Sequence, residues 1–362
     1  MASIGPLVSG NAATLTARQI DEWRVGRETE IAALLPPLRA SCNVYLWGER
    51  GIGKTFLVRL LQKALQDEAA TLAVNVSATA HLHGGYGTVV DVASGTVLAI
   101  LEKVWTDVVG RDYSELRATL SIAAADGKLR SLFRSDLEQT AVQLYREVMA
   151  SERRLHFRRN SSIGASAIAK GEYGRDREVE LSTPAIMPFE FVEFTHELVV
   201  ALSAVGVDRL TIFLDEANVL DDSTQNAFLS QYIELFASSS TNFLFVAGVD
   251  KLEPEHVPRE GSFDVLARVS GLDAGSSFKL VAKAAERHGI AISEDLARLI
   301  ITHSAGSPRI LLFLVSEFAG YDYGGRAVSQ EAVQHAIMSA FESRRSIPRT
   351  IFSEIEDPPG LF

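Results

Sequence analysis

Cysteine is almost missing from this chain: Cys42 is the only one among 362 residues. No internal disulfide can form, and a reducing, cytoplasmic setting is the expectation. Long apolar runs are missing as well. The best candidates, residues 244–249 and 310–315, are core-sized, whereas a membrane span needs about 20 residues, so no membrane partner is expected. The opening MASIGPLVSGNAATL has neither the basic start nor the long apolar stretch of a secretion signal. Positive charge is in deficit: 35 Lys and Arg face 46 Asp and Glu, a net charge of −11 that opposes the long-range attraction a nonspecific DNA binder uses. No G-x-S-x-G element and no local serine, histidine and acid cluster offers hydrolase chemistry. His81-Leu82-His83 has no cysteine nearby and runs into Gly84-Gly85, a loop signal rather than a metal site. Cys42 reads most simply as a buried small apolar residue.

What the chain does have is a glycine loop in the right setting. Gly48-Glu49-Arg50-Gly51-Ile52-Gly53-Lys54-Thr55 is a complete G-x-x-x-x-G-K-[ST] element. The apolar Val44-Tyr45-Leu46-Trp47 before it suits a buried strand, and Phe56-Leu57-Val58-Arg59-Leu60-Leu61 after it opens a helix. Strand, loop and helix together aim backbone N–H groups, backed by the positive end of a helix dipole, at the phosphates of a nucleotide. In that arrangement Lys54 reaches the outer phosphates and the Thr55 hydroxyl ligates Mg2+. Trp47 is read as core rather than as a base-stacking platform.

At 362 residues the chain exceeds one comfortable core, so two domains, or one with a large insertion, are expected. Its 47% apolar content is ordinary for a globular protein. Residues 1–20 are small, polar and aperiodic, a tail or an oligomer-clasping arm. Strands are predicted at 43–47, 71–77, 209–214 and 242–249, separated by helical patterns that include one from the loop to about Gln66. They point to a parallel sheet covered on both faces. The α/β core that carries the glycine loop spans 21–84 and 186–273. A mainly helical insertion at 85–185 interrupts it, with an amphipathic helix at 128–150 and a possible hairpin at 161–181. A helix near 190–205 feeds the strand at 209. From 274 to 345 the pattern is helical only, with N-caps at Ser293, Ser307 and Ser329 and proline at the first helical position, Pro308. Residues 346–362 read as a tail.

The strand at 209–214 ends in Asp215-Glu216. An aspartate there can anchor the hydration shell of Mg2+ opposite Thr55. The adjacent glutamate can orient and deprotonate an attacking water, which favours hydrolysis over mere nucleotide holding.

These elements resemble a known family. Val25-Gly26-Arg27-Glu28-Thr29-Glu30 resembles the opening motif of AAA+ and related STAND-type ATPases, closest to the origin-recognition-like branch, where the segment lies beside adenine. Gly306-Ser307-Pro308-Arg309 resembles the G-x-P-R of the AAA+ lid, whose arginine contacts the γ-phosphate. With the phosphate loop and the 210–216 strand, four motifs fall in the family's order over about 21–80 and 186–345. The resemblance implies an α/β P-loop NTPase fold with a sheet of order 5-1-4-3-2, its fifth strand near 264–269. ATP and Mg2+ are the implied cofactors. The nucleotide site then comprises Val25, Gly26, Arg27, Gly48, Glu49, Arg50, Gly51, Ile52, Gly53, Lys54, Thr55, Phe56, Pro308 and Arg309, with metal on Thr55 and Asp215. Catalysis falls to Glu216 and Lys54, aided by Arg309 and by an arginine finger from a neighbouring copy in a homo-oligomer. Arg259, then Arg268, are the finger candidates. Asp250 stands nearest the sensor position at the end of the fourth strand, where the family usually has an uncharged polar residue.

No nuclease, protease or winged DNA-binding domain is evident, so control of a separately encoded effector, such as a nuclease in bacterial antiphage defence, is the expected role. A DNA-binding regulator of transposition or replication is the alternative. The cluster Arg153, Arg154, Arg158 and Arg159 speaks for it and the net acidity against it. A nucleotide-locked scaffold is a third possibility, opposed by Glu216. Adenine over guanine rests on the resemblance and on the lack of an N-K-x-D element.

Overall fold

A computed structural model describes residues 15–68, 70–77, 89–114, 137–143, 188–215, 241–248 and 263–320. Its five strands, β1 (Val44–Gly48), β2 (Thr71–Ser77), β3 (Arg209–Asp215), β4 (Thr241–Gly248) and β5 (Val265–Arg268), form one sheet in the order β5-β1-β4-β3-β2. That is the 5-1-4-3-2 order expected from the family resemblance, and the fifth strand lies where it was placed. The β1–β4, β1–β5 and β2–β3 pairs all run parallel. By contact the chain splits into two compact units, Met1–Asp67 with Leu244–Phe362, and Glu68–Phe243.

In the first unit, β1 is buried at Val44, Tyr45 and Leu46 because it pairs on both edges, Val44 with Leu244 of β4 and with Val265 of β5. Tyr45 stacks on Phe245 with ring centroids 5.8 Å apart, and Phe263 closes the aromatic group 5.1 Å from Tyr45. The helices are α1 (Ala17–Glu22), α2 (Glu28–Arg39) and α3 (Lys54–Gln66), followed late in the chain by α6 (Ala274–His288), α7 (Glu294–Ser304) and α8 (Pro308–Gly320). Buried Leu57, Val58, Leu60, Leu61 and Leu65 fall at helical spacing on α3. Helices α6, α7 and α8 bury their own apolar cluster, built from Leu280, Val281, Ala284, Leu296, Ile300, Leu311 and Leu314. Asp273 and Ser293 cap α6 and α7 by accepting from the Ser276 and Leu296 amides. Of the three serine caps expected from sequence, Ser293 is therefore observed, and Ser329 lies outside the described residues.

The expected aperiodic tail is corrected at its end. Residues 17–22 form α1, closed by a capping box in which Thr16 accepts from the Gln19 amide and the Gln19 side chain accepts from the Thr16 amide. This helix straps two elements together. Leu15 and Ile20 pack with Leu60 of α3, and Asp21 pairs with Lys63. At the next residue Glu22 pairs with Arg287 of α6, while Trp23 sits in the α6–α8 cluster with Lys283 Nζ 5.8 Å from its ring centre. Cys42 is half-buried rather than buried, since it lies in the turn before β1.

In the second unit β2 and β3 pair from Thr71–Arg209 to Ser77–Asp215. Helix α4 (Val89–Lys103) runs into a wider π-type turn at Val104–Val108, burying Val97, Ile100, Leu101 and Trp105, and α5 (Pro188–Ser203) precedes β3. The amphipathic helix expected at 128–150 is described only at 137–143, which is helical with Leu137 and Ala141 buried. The hairpin expected at 161–181 lies outside the described residues.

Candidate functional site

β1 delivers the glycine loop. At its last residue, Gly48, a Cβ would stand 2.6 Å from the Val269 carbonyl oxygen, so only glycine lets the chain after β5 approach here. Gly51 and Gly53 hold φ of +85° and +95°, left-handed values that other residues rarely adopt. Gly53 caps α3 and accepts the first helical hydrogen bond, from the Leu57 amide at 3.0 Å. The first turn of α3, residues 54–56, thus directs its amides out of the helix end into the loop, with the positive end of the dipole behind them. The Lys54 ammonium lies across the loop, donating to the Gly48 and Glu49 carbonyls at 2.6 and 2.8 Å. Ile52 is buried and anchors the loop, Arg50 is exposed, and Glu49, Thr55 and Phe56 are half-buried. Phe56 packs against both the α6–α8 cluster and the Leu15–Ile20–Leu60 group.

Two further segments converge on this loop. Val25 packs against the α6–α8 cluster, and Gly26 lies so close to Ser276 that a Cβ would meet its hydroxyl at 2.9 Å. Arg27 is 6% exposed; it donates to the Ile52 carbonyl at 2.6 Å and to the Ser270 carbonyl at 2.8 Å, and pairs with Glu30. From the other side comes the start of α8. Ser307 Oγ donates to the Gly51 carbonyl at 3.2 Å and the Arg309 amide approaches the same oxygen at 3.4 Å. Pro308 Cγ would be 3.5 Å from a Cβ on Gly53, and Arg309 Cβ 3.4 Å from one on Gly51. The phosphate loop, the 25–27 segment and the 306–309 turn therefore meet within the first unit. The sequence marks Ser307 as a helix cap, and its carbonyl does accept the first hydrogen bond of α8, from the Leu311 amide at 3.0 Å. Its hydroxyl also reaches the loop, and nothing in the local pattern signals that.

The loop's geometry suits a polyphosphate. Gly48, Gly51 and Gly53 carry no Cβ, a helix N-terminus faces the loop, and an ammonium is already placed there. In the second unit Asp215 ends β3 opposite Ser77 and is 5% exposed. The same unit holds a buried polar pair that the sequence does not signal: Thr211 Oγ1 donates to Asn242 Oδ1 at 2.9 Å, with both residues at 0% exposure. Among the described residues no group of three or more His, Cys, Asp or Glu could hold a metal ion. Mg2+ bound mainly through water and phosphate needs no such group.

Arg268, the second finger candidate, projects its guanidinium 5.2 Å over the ring of Trp47, its register partner across β1 and β5. Glu216, Asp250, Arg259 and the cluster at Arg153, Arg154, Arg158 and Arg159 lie outside the described residues. No described helix is long and apolar enough to cross a membrane.

Comparison with known proteins agrees with the fold. A Walker-type ATPase of Pyrococcus abyssi aligns with a TM-score of 0.51 at 13% identity, over 92% of this chain and 75% of its own. The ORC1 protein of Aeropyrum pernix, solved in complex with DNA, aligns at 0.48 and 16%, over 93% and 74%. Domain III of the Thermotoga maritima replication initiation protein DnaA aligns at 0.40 and 12%, over 88% and 95%. At 13% identity the match to the Pyrococcus abyssi ATPase speaks to fold alone. No curated protein matches the chain. Residues 24–246, well over half of it, match the AAA ATPase domain. The chain belongs to the AAA ATPase domain family.

Proposed function

We propose that this protein binds and hydrolyses ATP with Mg2+, and that it works as an oligomerising switch for a separately encoded effector in bacterial antiphage defence. The observation that carries the ATP-binding reading is the meeting of Lys54, Arg27 and the Ser307–Arg309 turn on one glycine loop. In this reading the loop amides and Lys54 hold the β- and γ-phosphates. Val25, Gly26 and Pro308 border the nucleotide. Thr55 and Asp215 hold the metal, which when bound offsets phosphate charge. Glu216 takes the proton of the attacking water, and Arg259 of a neighbouring copy stabilises charge developing on the γ-phosphate. Arg309 sits on the turn that bears on the loop, so loss of the γ-phosphate is felt directly by α8. Such a contact gives two states separated by phosphate interactions alone.

Two substitutions test this. Lys54→Ala should weaken binding of a fluorescent ATP analogue by about tenfold or more, ~1.4 kcal/mol. Glu216→Gln should retain binding, lower turnover by roughly 10² to 10⁴, and accumulate the ATP-bound assembly seen by light scattering. Unchanged affinity in the first variant refutes the site, and unchanged turnover in the second removes Glu216 from its role. A DNA-binding role is favoured only by the 153–159 cluster. If it holds, duplex affinity falls steeply with salt, and replacing the four arginines flattens that slope.

A further inference from the structure

We infer that Arg27 is a positioning residue for the phosphate loop. On this inference, which rests on the nucleotide-binding reading above, Arg27 acts on phosphate affinity through Ile52 and does not itself touch the nucleotide. The guanidinium is buried, and its donors are directed at protein: Nη2 at the Ile52 carbonyl at 2.6 Å, Nη1 at the Ser270 carbonyl at 2.8 Å and at Glu30. A buried cation is costly unless paired, and Glu30 supplies the opposite charge. The planar fork of arginine presents separate nitrogens to the two carbonyls, Nη1 to Ser270 and Nη2 to Ile52, in a fixed geometry that a point-like ammonium does not supply.

The two ends of this strut are chosen positions. Ile52 lies between Gly51 and Gly53, the two left-handed glycines, so a side chain that holds its carbonyl fixes the loop at its most conformationally permissive stretch. The Arg27 guanidinium also lies 3.7 Å from where a Cβ on Gly53 would be. Ser270 precedes Gly271, whose Cβ would stand 2.6 Å from the Ala305 carbonyl, so the far end is packed against the turn that leads to Ser307. Arg27 thus links the loop to the same turn that touches Gly51. Its backbone is left-handed, with φ of 75° next to 69° at Gly26. A non-glycine residue keeps such a conformation only where its surroundings hold it. Amides fixed in advance bind an anion better than amides that must first be ordered.

The test is competition on the intact protein, displacing a fluorescent ADP analogue with ADP, GDP and inorganic tripolyphosphate. Arg27→Met should weaken ADP and tripolyphosphate by the same factor, about tenfold, the size of one charge-assisted hydrogen bond. The preference for ADP over GDP should not move. Arg27→Lys keeps the charge but not the fork, and should fall nearer to Arg27→Met than to the unaltered protein. Weakened ADP with unaltered tripolyphosphate would mean that Arg27 reads the nucleoside, which overturns the inference. Full rescue by Arg27→Lys overturns it too, because charge alone would then suffice. Should Arg27→Met fail to fold, Arg27→Lys alone decides: an equal loss for ADP and tripolyphosphate supports the strut, and any other pattern overturns it. Lys54→Ala separates the two layers. If it too leaves tripolyphosphate affinity intact, the nucleotide site itself is refuted; if only the Arg27 variants are silent, the strut alone is.

Discussion

Gly306 and Gly289 share a backbone conformation, with φ of +73° and +67°, but differ in surroundings. Gly289 ends α6, and a methyl group added there would have no heavy atom within 4 Å. At Gly306 a Cβ would meet the Leu272 carbonyl oxygen at 2.5 Å and its nitrogen at 2.9 Å, both backbone atoms that no rotamer change can move. The Leu272 amide also donates to the Gly306 carbonyl at 2.8 Å, so separating the two strands of chain breaks that bond. Alanine at either site incurs the left-handed cost of about 1–2 kcal/mol, less the roughly 0.4–1 kcal/mol gained by restricting the unfolded chain. Gly289→Ala should therefore cost roughly 0–1.6 kcal/mol. Gly306→Ala adds about 1–3 kcal/mol of overpacking and about 1 kcal/mol for the hydrogen bond, so the gap between the variants should be roughly 2–4 kcal/mol. Urea unfolding followed by tryptophan fluorescence measures it as a shift in midpoint at constant slope. Gly306→Ala should also weaken ADP binding, since Ser307 follows it onto Gly51, whereas Gly289→Ala should not. Equal losses in stability for the two variants would refute the argument that backbone contact, rather than φ alone, makes Gly306 a glycine.

Two further outcomes follow from the same unit. Trp23→Ala should cost about 3–5 kcal/mol as a buried aromatic truncation, and hydrogen exchange should show α6 and α7 losing protection while the β2–β3 pair keeps it; uniform loss would deny Trp23 its place in the α6–α8 cluster. Burial lowers the pKa of His303, so the unfolded chain binds its proton more readily than the folded one. Its effect on stability is absent above the unfolded value of about 6.5 and grows as pH falls from there toward the folded pKa, destabilising the protein. His303→Gln should flatten the unfolding midpoint across that interval, and an unchanged pH profile would remove His303 as its source.

The strands were legible because each is a short apolar run bounded by turn residues. β2 begins and ends at the predicted positions, and β1, β3 and β4 differ by a residue at one end or both. The start of α6 at Ala274 and the cap at Ser293 could likewise be read from local chemistry. The features not legible in the sequence are either masked by their neighbours or not local. The Thr16–Gln19 capping box stood in the sequence, but surrounding polar residues hid α1. Helix α4 carries Val97, Ile100 and Leu101 at helical spacing, inside the stretch expected only as a mainly helical insertion. Motif matching marked Arg27 as a neighbour of the nucleotide. Its partners, Ile52 and Ser270, lie 25 and 243 residues away, and no periodicity links them. The Thr211–Asn242 pair is hidden for the same reason.

Strand β1 is complete by residue 48, yet both of its sheet neighbours come from residues 241 to 268. At a synthesis rate of about 5–20 residues per second, its two edges wait on the order of ten to forty seconds for partners. During that interval an apolar strand with unsatisfied amides on both sides has left the ribosome, a state that invites pairing with other nascent chains. Production of this protein should accordingly depend on chaperone supply more than the stability of its finished sheet would suggest.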